Sequence, residues 1–366
     1  MMQLRKLFFF IGTEAELIKI FPVMLECKAR GLDYNIIASG QNNIVDSQIF
    51  KQTECGHVDL ELSSESDIKK TAAGLLVWWV RTKSRAVRKI RDRFPETGYK
   101  DSYMIVHGDT VSTYMGACVG KALGMTVCHI EAGLRSHRLY DPFPEEIDRL
   151  LTSRIARIHF APGQVACANL SKARGRVVDT VQNTLLDSLH ASESIEPADY
   201  IRDILDRSEP YCVFVMHRQE NLADEKLVRD CVKNITIISG NINVIVILHT
   251  ITGNTLRNLG LLDELERNSG ITLLSRVEYF SFMKLLNKAE YVITDGGSNQ
   301  EELYYMGVPA LIMRHTTERN EGIGENVMLY SEASDMLKFA SEYRNYIGSK
   351  VPDAHPSGII ADELGR

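Results

Sequence analysis

The sequence lacks the short signatures of several large enzyme classes. It has no GxxxxGK[ST] phosphate loop, no GxSxG serine turn, and no Cys-x-x-Cys or His–Cys cluster at zinc spacing. Nothing in it indicates nicotinamide or pyridoxal chemistry, so no cofactor and no metal are expected. It has no Gly/Ser-rich linker, internal repeat or low-complexity tract. It also lacks an excess of positive charge. The net charge of −6 argues against a nucleic-acid scaffold and for a small-molecule site with local basic residues. The amino-terminal apolar run is short and passes at once into a polar helix start. It reads as a first strand and not as a signal peptide or membrane span. The seven cysteines are scattered and odd in number, which fits buried reduced thiols in a cytoplasmic protein.

What is present is ordinary globular composition, 44% hydrophobic and 25% charged, over 366 residues. That length suits two domains better than one core. Apolar strands alternate with helical stretches throughout. In the first half the strands fall at Lys6–Ile11, Tyr34–Ala38, Tyr103–Val106, Thr126–Ile130 and Ile158–Ala161, with helices over 16–30, 66–93, 111–123 and 164–173. In the second half the strands are Tyr211–Val215, Val244–Leu248, Ile271–Leu274, Tyr291–Ile293 and Ala310–Met313. Helices there are expected near 222–238, 254–267, 279–288, 298–306 and 333–345. This alternation predicts two doubly wound α/β domains with parallel sheets, 1–176 and 177–366. The final segment is expected to pack back on the first domain.

The chain is densest in polar chemistry between Ile105 and Pro162. Two short strands there end in His107-Gly108-Asp109-Thr110 and in His129 through Gly133, so Asp109, His129 and Glu131 reach one sheet edge, where α/β folds carry their chemistry. A loop with Arg135 and Arg138 follows, then Pro144-Glu145-Glu146, a plausible helix start, and Arg149. Carboxylates that are partly buried or near one another can have pKa values raised toward neutrality, as acid–base work requires. Each could equally be a helix cap or an ion-pair partner.

Elsewhere, Gly12-Thr13 closes the first strand before a helix carrying Lys19. In the second half, Met216-His217-Arg218-Gln219-Glu220-Asn221 follows a strand. His217 can bind a diphosphate or move a proton, Arg218 can bind phosphate, and Asn221 completes the motif. Thr294-Asp295-Gly296-Gly297-Ser298 is a small-residue turn before a helix, which points backbone N–H groups and a positive helix end at an anion. Glu302, one turn on, suits ribose hydroxyls. Arg314 and Arg319 add positive charge, and Phe282 could flank a base or belong to the core.

HGDT, HIEAGLR, FPEEIDR and HFAP, in this order, resemble the non-hydrolysing UDP-N-acetylglucosamine 2-epimerase family over nearly the whole chain. Two departures stand out. Glu14-Ala15 occupies the place of the family's Arg-Pro, and Asp-Gly-Gly-Ser that of Asp-Ser-Gly-Gly. The resemblance implies a GT-B arrangement of two domains facing across a cleft. It also implies a UDP-sugar substrate, a homodimer and a place in cell-surface polysaccharide synthesis. By the same token Asp109, Glu131, Glu145 and His217 would be catalytic, and Lys19, Arg135, Arg149, Arg218, Asn221, Phe282, Gly296, Gly297, Ser298, Glu302, Arg314 and Arg319 substrate-binding. The implied reaction removes the C2 proton, eliminates UDP and adds it back with C2 inverted. Alternatives are a hydrolysing relative that releases free sugar, a glycosyltransferase on the same fold, and a nucleotide-sugar sensor or assembly protein.

Overall fold

The pentapeptide Leu7–Ile11 is buried at every position and lies inside a parallel sheet. An apolar run without alternation is what a strand covered on both faces requires. The computed structural model describes residues 6–64, 66, 72–95, 97–137, 144–315, 317, 319–351 and 353–366. Residues 67–71 of the expected helix 66–93 lie outside these; the helix is described over Ala72–Arg93.

Among the described residues the first sheet has strands β1 (Leu7–Ile11), β2 (Tyr34–Ala38), β3 (Leu60–Glu61), β4 (Tyr103–His107), β5 (Thr126–Ile130), β6 (Ile158–Ala161) and β7 (Arg176–Asp179). The second has β8 (Tyr211–Val215), β9 (Asn243–Leu248), β10 (Ile271–Ser275), β11 (Tyr291–Thr294), β12 (Ala310–Ile312) and β13 (Val327–Leu329). Their orders are β3-β2-β1-β4-β5-β6-β7 and β10-β9-β8-β11-β12-β13, with every pairing parallel. Each sheet therefore reverses its winding once, at β1/β4 and at β8/β11, and the loops at the carboxyl ends of those pairs are the natural ligand sites of such a sheet.

The first compact unit runs to Ala191 and includes Ala354–Arg366; the second is Ser192–Asp353. The expected division at 176 would remove β7 from the sheet it pairs with, since Ile158 to Ala161 are in register with Arg176 to Asp179. The helix Pro356–Leu364 lies against the helix Glu14–Ala29. Arg30 Nε donates to Asp362 (2.9 Å) and Arg176 pairs with Glu363 (2.7 Å).

The first core gathers Phe8, Phe10, Met104, Val106 and Val119. The second gathers Phe214, Val246, Ile293, Leu311 and Phe339. Two glycines in the helix Val111–Leu123 admit this packing: a Cβ on Gly116 would lie 2.7 Å from Phe10 and one on Gly120 2.6 Å from Met104. None of the seven cysteines forms a disulfide.

Two expected helices are each divided. The 222–238 stretch breaks at Asp224, whose side chain instead caps Glu225–Ile238 by accepting from the Leu227 N–H. The 254–267 stretch breaks at Gly260 in a left-handed conformation, leaving Thr250–Asn258 and Leu262–Arg267.

Candidate active site

In the first unit the polar residues converge on Glu131. It follows β5 with a left-handed backbone, φ 60°, a conformation that costs a non-glycine residue about 1–3 kcal/mol and marks functional loops. Its carboxylate is almost fully buried. Lys19 Nζ donates to Oε2 at 2.5 Å, and Asn183 Nδ2 donates to the same oxygen at 2.5 Å. Arg149 Nη2 donates to Oε1 (3.0 Å), and its Nη1 holds the Glu131 carbonyl (2.9 Å). Arg149 also reaches Asp109 Oδ2 at 2.6 Å. The result is a buried alternation of two carboxylates and two cations. Burial of such charges is tolerable only because each is paired and hydrogen-bonded. Asp109 is the more exposed of the two carboxylates.

Around this node the structure sets protonation by burial. His107, 3.8 Å from Glu131, and His129, whose Nε2 donates to the Gly108 carbonyl (2.8 Å), are both enclosed. Burial pushes each imidazole down to about 3, so both are neutral. Glu16 accepts from the N–H groups of Gly12 and Thr13 and from the hydroxyls of Thr110 and Thr113. Burial still raises it to about 7. It thus ties the turn after β1 to the turn after β4. Gly12 is required there, because a Cβ would fall 2.2 Å from the Ser112 side chain.

Glu145 begins the helix Glu145–Ile155 and is half-buried. Its neighbour Glu146 is the one that holds Arg135, accepting from Nε at 2.5 Å and from the Ser136 N–H. Arg138 lies outside the described residues. Glu14 accepts from Ser47 Oγ (2.7 Å), so the acid in the arginine's expected place braces a neighbouring helix start.

In the second unit the organiser is Asp295, fully buried at the end of β11. Its carboxylate accepts from the backbone N–H of His217 (3.0 Å) and Arg218 (2.9 Å) and from Asn221 Nδ2 (3.1 Å). His217 Nδ1 is also within 3.0 Å, close enough for charge attraction though not aligned as a hydrogen bond. Burial would raise this carboxyl, but the His217 side chain and the two N–H groups outweigh it and hold Asp295 below the usual carboxylate range. Asn221 also donates to the Met313 carbonyl (3.1 Å) and so ties the loop after β8 to the end of β12. The His217 ring stacks on His249, centroids 4.8 Å apart. Burial, with His217 and Arg276, lowers His249 to about 4.

Gly296 caps the helix Gly297–Met306, and Gly297 and Ser298 form its first turn, partly open to solvent. The first N–H groups of a helix have no intrahelical partner, so this end can take an anion. Glu302 is buried and accepts from Asn299 Nδ2 (2.8 Å). Arg319 is buried against Glu301 of the same helix and is not an open cation. Arg218 pairs with Glu220. Arg314 and Phe282 are half-buried, Phe282 on the helix Tyr279–Lys288 whose Phe280 is in the core. Thr316 and Glu318 lie outside the described residues.

The structure brings Lys19, Asp109, Glu131 and Arg149 together in the first unit and His217, Arg218 and Asn221 together in the second, whereas Arg135 lies on Glu146, Arg319 on Glu301 and Phe282 on a helix beside the core. Asn183, His107, Asp148 and Asp295 join them without having been singled out as site residues. His107 and Asp295 lay within quoted motifs, and Asp148 is one helical turn from Glu145, a spacing that was available. Among the described residues no cluster of His, Cys, Asp and Glu could hold a metal, and no helix is long and apolar enough to cross a membrane.

The sequence profile described as UDP-N-acetylglucosamine 2-epimerase matches residues 25–346. The UDP-N-acetylglucosamine 2-epimerase of Bacillus subtilis (strain 168) is 27% identical, covering 96% of this chain and 93% of its own. That of Methanococcus maripaludis is 29% identical over 89% and 88%. A solved structure of the Methanocaldococcus jannaschii enzyme with UDP-GlcNAc and UDP aligns at TM-score 0.77 and 26% identity, covering 98% of this chain and 99% of the other. The fold is the two-sheet α/β architecture of the GT-B class. The chain belongs to the UDP-N-acetylglucosamine 2-epimerase family, a family of isomerases.

Proposed function

We propose that this protein interconverts UDP-N-acetylglucosamine and UDP-N-acetylmannosamine without releasing free sugar. The observation that carries the reading is the Asp109–Arg149–Glu131–Lys19 alternation at the switch point of the first sheet. It puts a reachable carboxylate beside fixed positive charge, as a reaction that moves a C2 proton and expels a diphosphate demands. In the forward direction a carboxylate takes the C2 proton while the C1–O bond to UDP breaks, leaving a 2-acetamidoglycal and UDP. In the return, UDP oxygen bonds C1 and a proton enters C2 on the opposite face.

Asp109 and Glu145 exchange these protons in this reading. Glu131, its oxygens engaged by Lys19, Asn183 and Arg149, acts through the cations it holds. The Gly296-Gly297-Ser298 turn, His217, Arg218 and Arg314 hold the diphosphate. Arg319 supports that turn through Glu301, and Glu302, Asn221 and Phe282 frame the nucleoside. Arg135 belongs with the sugar side. Incubation with UDP-N-acetylglucosamine followed by NMR tests the reading. UDP-N-acetylmannosamine supports it, whereas free amino sugar plus UDP makes the protein a hydrolysing enzyme.

A homodimer and a cytoplasmic location belong to the same proposal. Leu76, Val77 and Val80 are exposed together on the helix Ala72–Arg93, an apolar surface that a second copy would cover. Light scattering on Leu76→Asp would then show a monomer where the parent is a dimer. Seven cysteines without a disulfide suit a reducing compartment.

A further inference from the structure

Asp148 lies in the helix Glu145–Ile155, three residues after Glu145 and one before Arg149. Residues three and four apart share a helix face, so Glu145, Asp148 and Arg149 present together. Asp148 is only 6% exposed, and its Oδ2 is enclosed without a hydrogen-bond partner among the described residues. A buried, ionised carboxylate oxygen left unpaired is costly; a carboxyl in that position keeps its proton. The groups facing it sharpen this. Asp109, from the loop after β4, and Glu145, on its own helix, are both acidic; Tyr114, from the helix Val111–Leu123, is a neutral phenol whose proton Asp148 helps retain. Arg149, the next residue along the helix, is committed to Asp109 and Glu131.

We propose that Asp148 is a positioning residue of the acid–base cluster, the member that stays protonated while Asp109 and Glu145 cycle. Neutral, it leaves Arg149 to its pairs with Asp109 and Glu131. Ionised, it places a third negative charge beside two groups that must gain and lose protons. Burial, reinforced by Asp109 and Glu145, raises Asp148 to about 7, so this exchange of states falls in the physiological range.

The inference rests on the epimerase reading for its meaning, but its first test does not use turnover. In protein carrying carboxyl-13C aspartate, one resonance should titrate near pH 7, vanish in Asp148→Asn and move to lower pH in Asp109→Asn. The second test is the pH profile of kcat/KM. The parent should lose activity as Asp148 ionises, and in Asp148→Asn that alkaline limb should move upward by roughly one unit or more, a tenfold change in proton concentration. Asp148→Ser, which also removes the charge, should move it likewise if the asparagine variant folds poorly. An aspartate spectrum with no group titrating above the ordinary carboxylate range, or an alkaline limb unchanged in both variants, overturns the proposal. A chain that shows the resonance yet turns over no UDP-sugar would overturn the epimerase reading and leave the protonated Asp148 standing.

Discussion

Lys19 Nζ lies 2.5 Å from Glu131 Oε2, and both side chains are buried. The pair spans 112 residues of sequence and joins the helix after β1 to the loop after β5. Removing one member of a buried pair leaves an uncompensated charge. Lys19→Met should therefore cost about 3 kcal/mol of stability, the low end of the usual range because Arg149 and Asn183 still hold Glu131. In a double-mutant cycle Lys19→Met with Glu131→Gln should fall short of the sum of the single losses by about 0.5–3 kcal/mol. Denaturant unfolding of the four proteins checks this, and strict additivity would mean that the two groups are not coupled.

Arg319 and Glu301 separate a structural cation from a ligand-binding one. Arg319→Ala strands the buried Glu301 carboxylate and should lower the melting temperature; adding Glu301→Gln should restore most of the loss. If Arg319 acts only by supporting the helix start at Gly297, titration calorimetry with UDP should show affinity returning in the double variant. A persistent loss of about 1.5–3 kcal/mol in the double variant would instead show that the guanidinium reaches the diphosphate itself.

The neutral histidines predict an acid limb in stability. His107 and His129 sit near 3 in the fold and at 6.5 unfolded, so unfolding takes up protons between these values. Their neutral burial is harmless above pH 6.5, and stability falls as the pH drops below it, by up to about 1.4 kcal/mol per pH unit for each ring. Asp148 acts in the opposite sense. With its folded value raised to about 7 from 3.8, its contribution is full at low pH and is lost as the pH rises through 7. Unfolding free energies measured from pH 4 to 8 should rise less steeply between pH 4 and 6.5 in His107→Gln and more steeply over the same range in Asp148→Asn, where the opposing contribution is gone. Parallel curves for parent and variants would contradict these assignments.

Most of the scaffold was legible because parallel strands buried on both faces are bare apolar runs. Tyr34–Ala38, Thr126–Ile130, Ile158–Ala161 and Tyr211–Val215 occur as read. The short edge strands β3, β7 and β13 carry no such run and are missing from the sequence reading. Helix breaks at Asp224 and Gly260 depend on a cap and a left-handed residue, which local composition suggests but apolar periodicity hides. The site was legible in residue type more than in partnership. Glu131 and Lys19 stood out, but nothing local announces that Asn183 reaches Glu131 across 52 residues, or that Arg319 turns inward to Glu301. Glu145 and Glu146 are adjacent and alike in sequence, and only their helix faces separate the half-buried acid from the one that braces Arg135.

The central claim is that Asp109 and Glu145 move the proton at C2 of a UDP-N-acetylhexosamine. The measurement is deuterium incorporation at that carbon, read by NMR, when the parent is incubated with UDP-N-acetylglucosamine in deuterated water. The account predicts deuterium at C2 of the UDP-N-acetylmannosamine formed, with exchange and turnover both slowed by about 10²–10⁴-fold in Asp109→Asn and Glu145→Gln while thermal stability and UDP affinity stay near the parent's. Product formed without C2 deuterium, or exchange at the parental rate in both variants, would contradict it.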